Sequence, residues 1–249
     1  SVKQPFQLVR PLDGIKVQHA SLGHAHTLII ESETCRLYAV GDNNRGQVTG
    51  KKDMSFISKP ITPFFAVNEK FINVSAGLFH SAAITQDGDL VTFGCGRFSQ
   101  CISIEDEKNT HEKASNVFVG RWRPQDGSRL LKVVCGRRHT VILDEHGRVW
   151  TLGENKYGQL GRQESSQKER STPQLVDGIL GTKNSGCFDI DCGWSHNIAL
   201  IKEENKLPIK VYGWGRNDKG QLGYQVNQPI RSPHLCHEMI DGNAIKSFC

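Results

Sequence analysis

No run of about 18 apolar residues occurs in this sequence, so no membrane-spanning helix is encoded. The first residues show no basic flank followed by an apolar stretch, the pattern of a secretory leader. Nor is there a Gly-x-Ser-x-Gly, a Gly-x-x-x-x-Gly-Lys-Ser/Thr or a His-Glu-x-x-His, which leaves hydrolase, nucleotide-binding and zinc-protease chemistry without an anchor. The eight cysteines include no Cys-x-x-Cys pair, and His234-x-x-His237 with Cys236 has no second ligand pair, so no metal site is expected. A dominant charge is missing too. With 31 Lys and Arg against 26 Asp and Glu, the net +5 is spread along the chain and does not by itself imply nucleic acid. Helical periodicity is absent throughout. These absences point away from catalysis: no cofactor, metal or small-molecule substrate is expected.

What the chain has is 25 glycines, arranged in a period. The run VWTLGENKYGQLGR at Val149 to Arg162 recurs as VYGWGRNDKGQLGY from Val211, as LYAVGDNNRGQVTG from Leu37 and, worn, as LVTFGCGRFSQCIS from Leu90. The Gly closing each apolar run and the small residue five places on give Gly41 and Gly46, Gly94 and Ser99, Gly153 and Gly158, Gly215 and Gly220. Upstream of each copy lies a second signal, Gly-x-x-His before an apolar run: Gly23 to His26, Gly77 to His80, Gly136 to His139 and Gly193 to His196. Those glycines are 54, 59 and 57 residues apart, a period that means an array or a propeller.

One period reads as four short strands. Leu131 to Cys135 is apolar, Thr140 to Leu143 follows, Asp144-Glu145-His146-Gly147 makes a hairpin turn, and Arg148 to Leu152 pairs back. A final strand runs from the Gly-Gln-Leu-Gly turn to a Pro-containing tail. Residues 1–249 therefore read as a single propeller domain or partial propeller, all-β, with four-stranded antiparallel blades. The opening PFQLV at Pro5 to Val9 matches the tails PQLV at Pro173 and PHLC at Pro233, and Ile245 to Cys249 parallels the residues before Gly136 and Gly193. Both ends are expected to fall within a repeat, giving an incomplete ring of about four blades.

The fourth hairpin is longer, which predicts an extended exposed tip over Lys202 to Lys210. The stretch between Cys101 and Leu130 departs most from the period: polar from Glu105 to Lys113, then basic and aromatic at Gly120-Arg121-Trp122-Arg123-Pro124, it reads as a surface loop. Asn73-Val74-Ser75 fits a glycosylation triplet but falls in an apolar strand.

The paired signals, Gly-x-x-His and Gly-x-Asn-x-x-Gly-Gln-Leu-Gly, resemble the repeat of the regulator of chromosome condensation family, over nearly the whole chain. The resemblance implies a ring of seven such blades in the complete fold. It implies for function either a guanine nucleotide exchange factor for a Ran-like small GTPase or a propeller that binds protein partners without exchange. In the family's founding member, GTPase-contacting side chains come largely from the loops after the repeat Gly, some of them acidic. Carried over, those loops are His24-Ala25-His26, Leu78-Phe79-His80, Arg137-Arg138-His139 and Trp194-Ser195-His196, and none holds an Asp or Glu. That favours a non-enzymatic interaction propeller acting on a protein partner, a small GTPase or an acidic protein surface such as one on histones, inside the nucleus or cytoplasm.

Two sets of residues follow. His24, Phe79, Arg137, Arg138 and Trp194, with Arg121, Trp122 and Arg123, are the expected partner contacts, because large aromatic and guanidinium side chains anchor interfaces. Gly23, His26, Gly77, His80, Gly136, His139, Gly193 and His196, with Gly153, Gly158, Gln159, Gly215, Gly220 and Gln221, are expected to be structural, the histidines packed and bonded rather than catalytic. Cys135 and Cys192 precede the repeat Gly in two periods and are expected to be buried, unbridged core residues.

Overall fold

The structure is a computed structural model that describes residues 14–102, 117–163, 170–179, 185–203, 208–224 and 227–239. The two termini, the polar segment Glu105 to Lys113 and the middle of the tip between Lys202 and Lys210 lie outside the described residues.

Among the described residues, sixteen strands form four sheets of four. Blade 1 holds β1 (Val17–Leu22), β2 (His26–Glu31), β3 (Leu37–Asp42) and β4 (Phe56–Ile61). Blade 2 holds β5 (Phe71–Ala76), β6 (His80–Thr85), β7 (Leu90–Cys95) and β8 (Val117–Trp122). Blade 3 holds β9 (Leu130–Cys135), β10 (His139–Asp144), β11 (Val149–Gly153) and β12 (Gln174–Leu175), and blade 4 holds β13 (Ser185–Cys192), β14 (His196–Glu203), β15 (Ile209–Gly215) and β16 (Ile230–Met239). Every pairing is antiparallel between sequence neighbours, which makes each blade a meander of local hairpins.

The blades pack face to face in chain order, and side-chain alternation decides which neighbour each residue meets. On β6, Ala83 joins Leu28, Ile30, Val74 and Phe93 between blades 1 and 2, whereas Ala82 and Ile84 join Leu130, Ile142 and Leu152 between blades 2 and 3. On β10, Ile142 points back to blade 2 while Val141 and Leu143 point forward to Ala199 and Trp214 of blade 4. Both faces of these strands are covered, so β6, β7 and β10 are buried at every residue rather than at every other one.

Two expectations need correction. Arg121 and Trp122 are not in a loop: Val117–Trp122 is β8, paired along its length with β7 from Leu90↔Trp122 to Cys95↔Val117, and Arg123 directly follows it. Cys135 and Cys192 are unbridged and pack against the sheet-to-sheet clusters of their seams, but each ends an innermost strand at the recess described below and is only partly buried. Asn73, within the glycosylation-like triplet, is occupied structurally; its Oδ1 accepts from the Val133 amide across the blade seam at 2.8 Å.

Candidate functional site

The Gly-x-x-His loops and the Gly-Gln turns share one face of the arc. In each blade the residue after the strand-closing Gly donates its N–H to a carbonyl of the Gly-x-x-His loop: Asp42 to Ala25, Cys95 to Phe79, Glu154 to Arg138 and Arg216 to Ser195, all at 2.8 Å. That approach is why the third strand ends on glycine. Gly153 has φ +118°, and a Cβ there would lie 2.5 Å from the Arg138 carbonyl oxygen.

The four turns are built alike. Gln47, Gln100, Gln159 and Gln221 each accept, through Oε1, from the amide two residues back, at 2.8 to 2.9 Å. Asn43, Asn155 and Asn217 close the other side through Oδ1, accepting from Val48, Leu160 and Leu222. The second blade keeps the Gln bond but has Gly96 in place of Asn, and the Phe118 ring packs where the side chain would be.

The repeat histidines join neighbouring blades. His26 Nε2 lies 2.9 Å from Ser81 Oγ, His80 Nε2 3.1 Å from Thr140 Oγ1, and His139 Nε2 2.7 Å from Asn197 Oδ1. Ser81 and Thr140 hydroxyls in turn donate to the main-chain carbonyls of Gln47 and Gln100, and the Asn197 amide donates to that of Gln159. Since those donors are spoken for, the imidazole must be the donor in each pair, which fixes the neutral Nε2–H tautomer. Burial depresses His26 and His139 to about 4 and His80 to about 3. Such imidazoles are uncharged at pH 7, and their bonds hold blades together. His196 of blade 4 is likewise lowered by burial.

Gly23, Gly77, Gly136 and Gly193 occupy equivalent places around one recess of about 220 Å³. Its walls carry Leu22, His24, Leu78, Arg137 and Trp194, one or two side chains from every blade, with Cys135 and Cys192 deeper. The amides of His24, Leu78 and Arg137 are already used, donating to Gly77, Arg137 and Trp194 carbonyls of the next blade. His24 and Phe79 meet edge to face at 6.0 Å. Trp194 is 66% exposed, and the Arg137 guanidinium sits 5.1 Å from its ring centre.

The expected contacts therefore separate. Arg137 and Trp194 form one pair at the recess. Arg138 points the other way, over the Phe98 ring at 3.9 Å and 3.3 Å from Glu154 Oε1, beside a groove with Arg97, Lys156 and Arg170. Arg121 and Arg123 belong to another surface and are engaged there: Arg121 pairs with Glu69 and with Asp89 at 3.0 Å, and Arg123 with Asp89 at 2.5 Å. Trp122 meets Trp150 edge to face, centroids 5.1 Å apart.

One feature of this face escaped the sequence reading. Every turn tip carries an exposed cation: Arg45, Arg97, Lys156 and Lys219. Their position slides between the third and fourth residue after the strand-closing Gly, so a fixed-register comparison of the copies does not align them. Counting the four turns (42–47, 95–100, 154–159, 216–221) with the two residues inside each Gly-x-x-His gives seven Lys and Arg against three carboxylates, a net +4 of the chain's +5. The three carboxylates are taken: Asp42 by Gln47 at 2.6 Å, Glu154 by Arg138, Asp218 by Arg216 at 2.6 Å.

Models of the regulator of chromosome condensation (RCC1) repeat match residues 146–200 and 210–249 and, in a second form, 71–100, 131–159 and 189–221. The chain belongs to the RCC1 repeat family. It is 30% identical over 242 residues to the ultraviolet-B receptor UVR8 of Arabidopsis thaliana, covering 97% of this chain and 50% of that protein. Among solved structures, human WBSCR16 superposes with a TM-score of 0.72 at 21% identity, covering 90% of this chain and 54% of that one. Yeast RCC1 (Prp20), solved bound to Kap60, gives 0.71 at 20% identity, with 90% and 49% coverage. At these identities the structures speak for the RCC1 propeller fold alone. The chain spans about half the length of the curated relative. Among the described residues no helix is long and apolar enough to cross a membrane.

Proposed function

We propose that this RCC1-repeat propeller is a non-enzymatic interaction module that holds a protein partner on the face built from its Gly-x-x-His loops and Gly-Gln turns. The observation that carries the reading is the concentration of net +4 on that face, with its carboxylates internally paired and one exposed cation at each turn tip. A surface of this kind attracts a partner of opposite charge and sets its orientation, with an attraction that salt weakens. The unbridged state of the seven described cysteines supports a place inside the cell, nuclear or cytoplasmic.

Prp20p of Saccharomyces cerevisiae, a fold neighbour, binds Gsp1p and histones. A histone-like assembly with an acidic surface fits the face proposed here. Exchange on a Ran-like GTPase has less support, because the inner loops offer no carboxylate.

The test is anisotropy of fluorescent polyglutamate, with duplex DNA alongside, on the parent chain and on a variant with Arg45, Arg97, Lys156 and Lys219 all changed to Glu. Polyglutamate binding that falls with salt and is lost in the variant supports the reading; binding unchanged by the four reversals, or confined to DNA, counts against it. A nucleotide-release assay with candidate small GTPases is expected to show no acceleration, and acceleration would make exchange the activity.

A further inference from the structure

We infer that the recess between the four Gly-x-x-His loops is the anchor point of that face, receiving an Asp or Glu side chain that an extended partner segment presents next to an aromatic or aliphatic residue. This rests on the reading of the face as a protein-binding surface and narrows it to one pocket and one chemistry.

Among the described residues no carboxylate lines the recess. The loop amides of His24, Leu78 and Arg137 are consumed by blade-to-blade bonds, so they cannot cradle an anion. Arg137 supplies the directed charge. Its Nε has no acceptor, which is equally true of Arg138, but unlike Arg138, which pairs with Glu154, Arg137 meets no carboxylate among the described residues. A carboxylate supplied from outside would pair with its guanidinium.

An aromatic platform stands behind that charge. The Trp194 ring, 5.1 Å from the guanidinium, holds Arg137 in place by a cation–π contact and leaves its own apolar surface uncovered. Leu22, 76% exposed, stands on the same rim. Positive charge beside exposed Trp and Leu suits an acidic side chain with an apolar neighbour better than it suits a bare polyanion, which would leave the Trp and Leu surface wet. Arg138, next in sequence, is tied to Glu154 and Phe98 and is not available to the recess.

The experiment uses two fluorescein-labelled peptides of equal negative charge and length, one interleaving Asp and Glu with Phe and Leu, the other with Ser and Gly. Anisotropy titrations of the 249-residue chain are expected to show tighter binding of the first. Arg137→Ala and Trp194→Ala should each weaken that peptide about tenfold or more, and Arg138→Ala should change it less than about twofold. Thermal melts confirm that the variants remain folded. Equal binding of both peptides, or full binding by Arg137→Ala and Trp194→Ala, overturns the anchor. If the four turn-tip reversals still abolish binding in that case, the face survives and only the anchor is wrong; if they too do nothing, the reading of the face fails with it. Absence of binding by either peptide also overturns the anchor.

Discussion

Thr140 accepts the Nε2–H of His80 across the seam between blades 2 and 3 and donates its own O–H to the Gln100 carbonyl. One hydroxyl thus ties a strand of blade 3 to both a strand and a turn of blade 2, and the same relay runs through Ser81 and Asn197 at the adjoining seams. Replacing Thr140 by Val keeps the volume and removes the relay, leaving a buried imidazole N–H and a buried carbonyl unpaired. The expected loss is about 1–3 kcal/mol in urea unfolding, the cost of stranding buried polar groups. Thr140→Ser should recover most of it. A Val variant as stable as the parent would mean that the relay is incidental to blade packing.

The same relay predicts an acid limit. An unfolded histidine titrates near 6.5, whereas His26 and His139 are held at about 4 and His80 at about 3 by burial. Between those values the unfolded chain binds more protons than the folded one, so stability rises with pH across this window. Full stability is expected above about pH 6.5, with progressive loss as pH falls toward 4, at a slope of up to about 4 kcal/mol per pH unit if all three sites contribute about 1.4 kcal/mol each. Unfolding midpoints in urea from pH 7.5 down to 4.5 check this, and His80→Gln should flatten the slope. A midpoint that is flat with pH would show the histidines to be protonated freely in the folded state.

Much of this architecture was legible because its signals are backbone necessities. Gly153 recurs where the third strand must pass a loop carbonyl, and Gln159 recurs where a turn amide needs an acceptor, so the residues that keep the period are the ones whose bonds the blade cannot replace. The Gly-x-x-His loops were likewise readable as one face. What was lost lay where side chains, not backbone, decide. Arg121 and Arg123 look like free cations in the sequence, but strand pairing with β7 brings Asp89 under both. Arg137 and Arg138 look equivalent, yet one faces the recess and the other crosses toward Phe98 of the preceding blade, a partner 40 residues away in sequence. The role of Ser81, Thr140 and Asn197 was missed because three different residue types perform it.

Gly153 allows a sharper test of the backbone argument. Alanine there meets two penalties, the positive φ and a Cβ 2.5 Å from the Arg138 carbonyl oxygen. Gly178 also has a positive φ, +75°, but has open space where a Cβ would go. Gly178→Ala should cost about 1–2 kcal/mol, the left-handed penalty alone, and Gly153→Ala distinctly more, since backbone on both sides must shift. Equal losses in denaturant titrations would remove the close approach as the reason for the repeat glycine.

The cysteines test where the axis lies. Cys135 and Cys192 end the inner strands of blades 3 and 4 and keep some exposed surface, yet their thiols are turned inward; burial pushes Cys135 up to about 12 and Cys192 well above its ordinary value. The thiolate is the reactive form, and a rise from 9 to about 12 cuts its population near pH 8 by roughly a thousandfold. Both should therefore resist iodoacetamide in the native chain, although each is visible at the recess wall. Mass mapping after timed alkylation reads this directly: in denaturant without reductant all eight cysteines should label, and in the native chain Cys135 and Cys192 should be among the slowest. Labelling of either at the rate of a denatured thiol would place its sulfur in water, and the inner strands would then have to be rotated from the register described here.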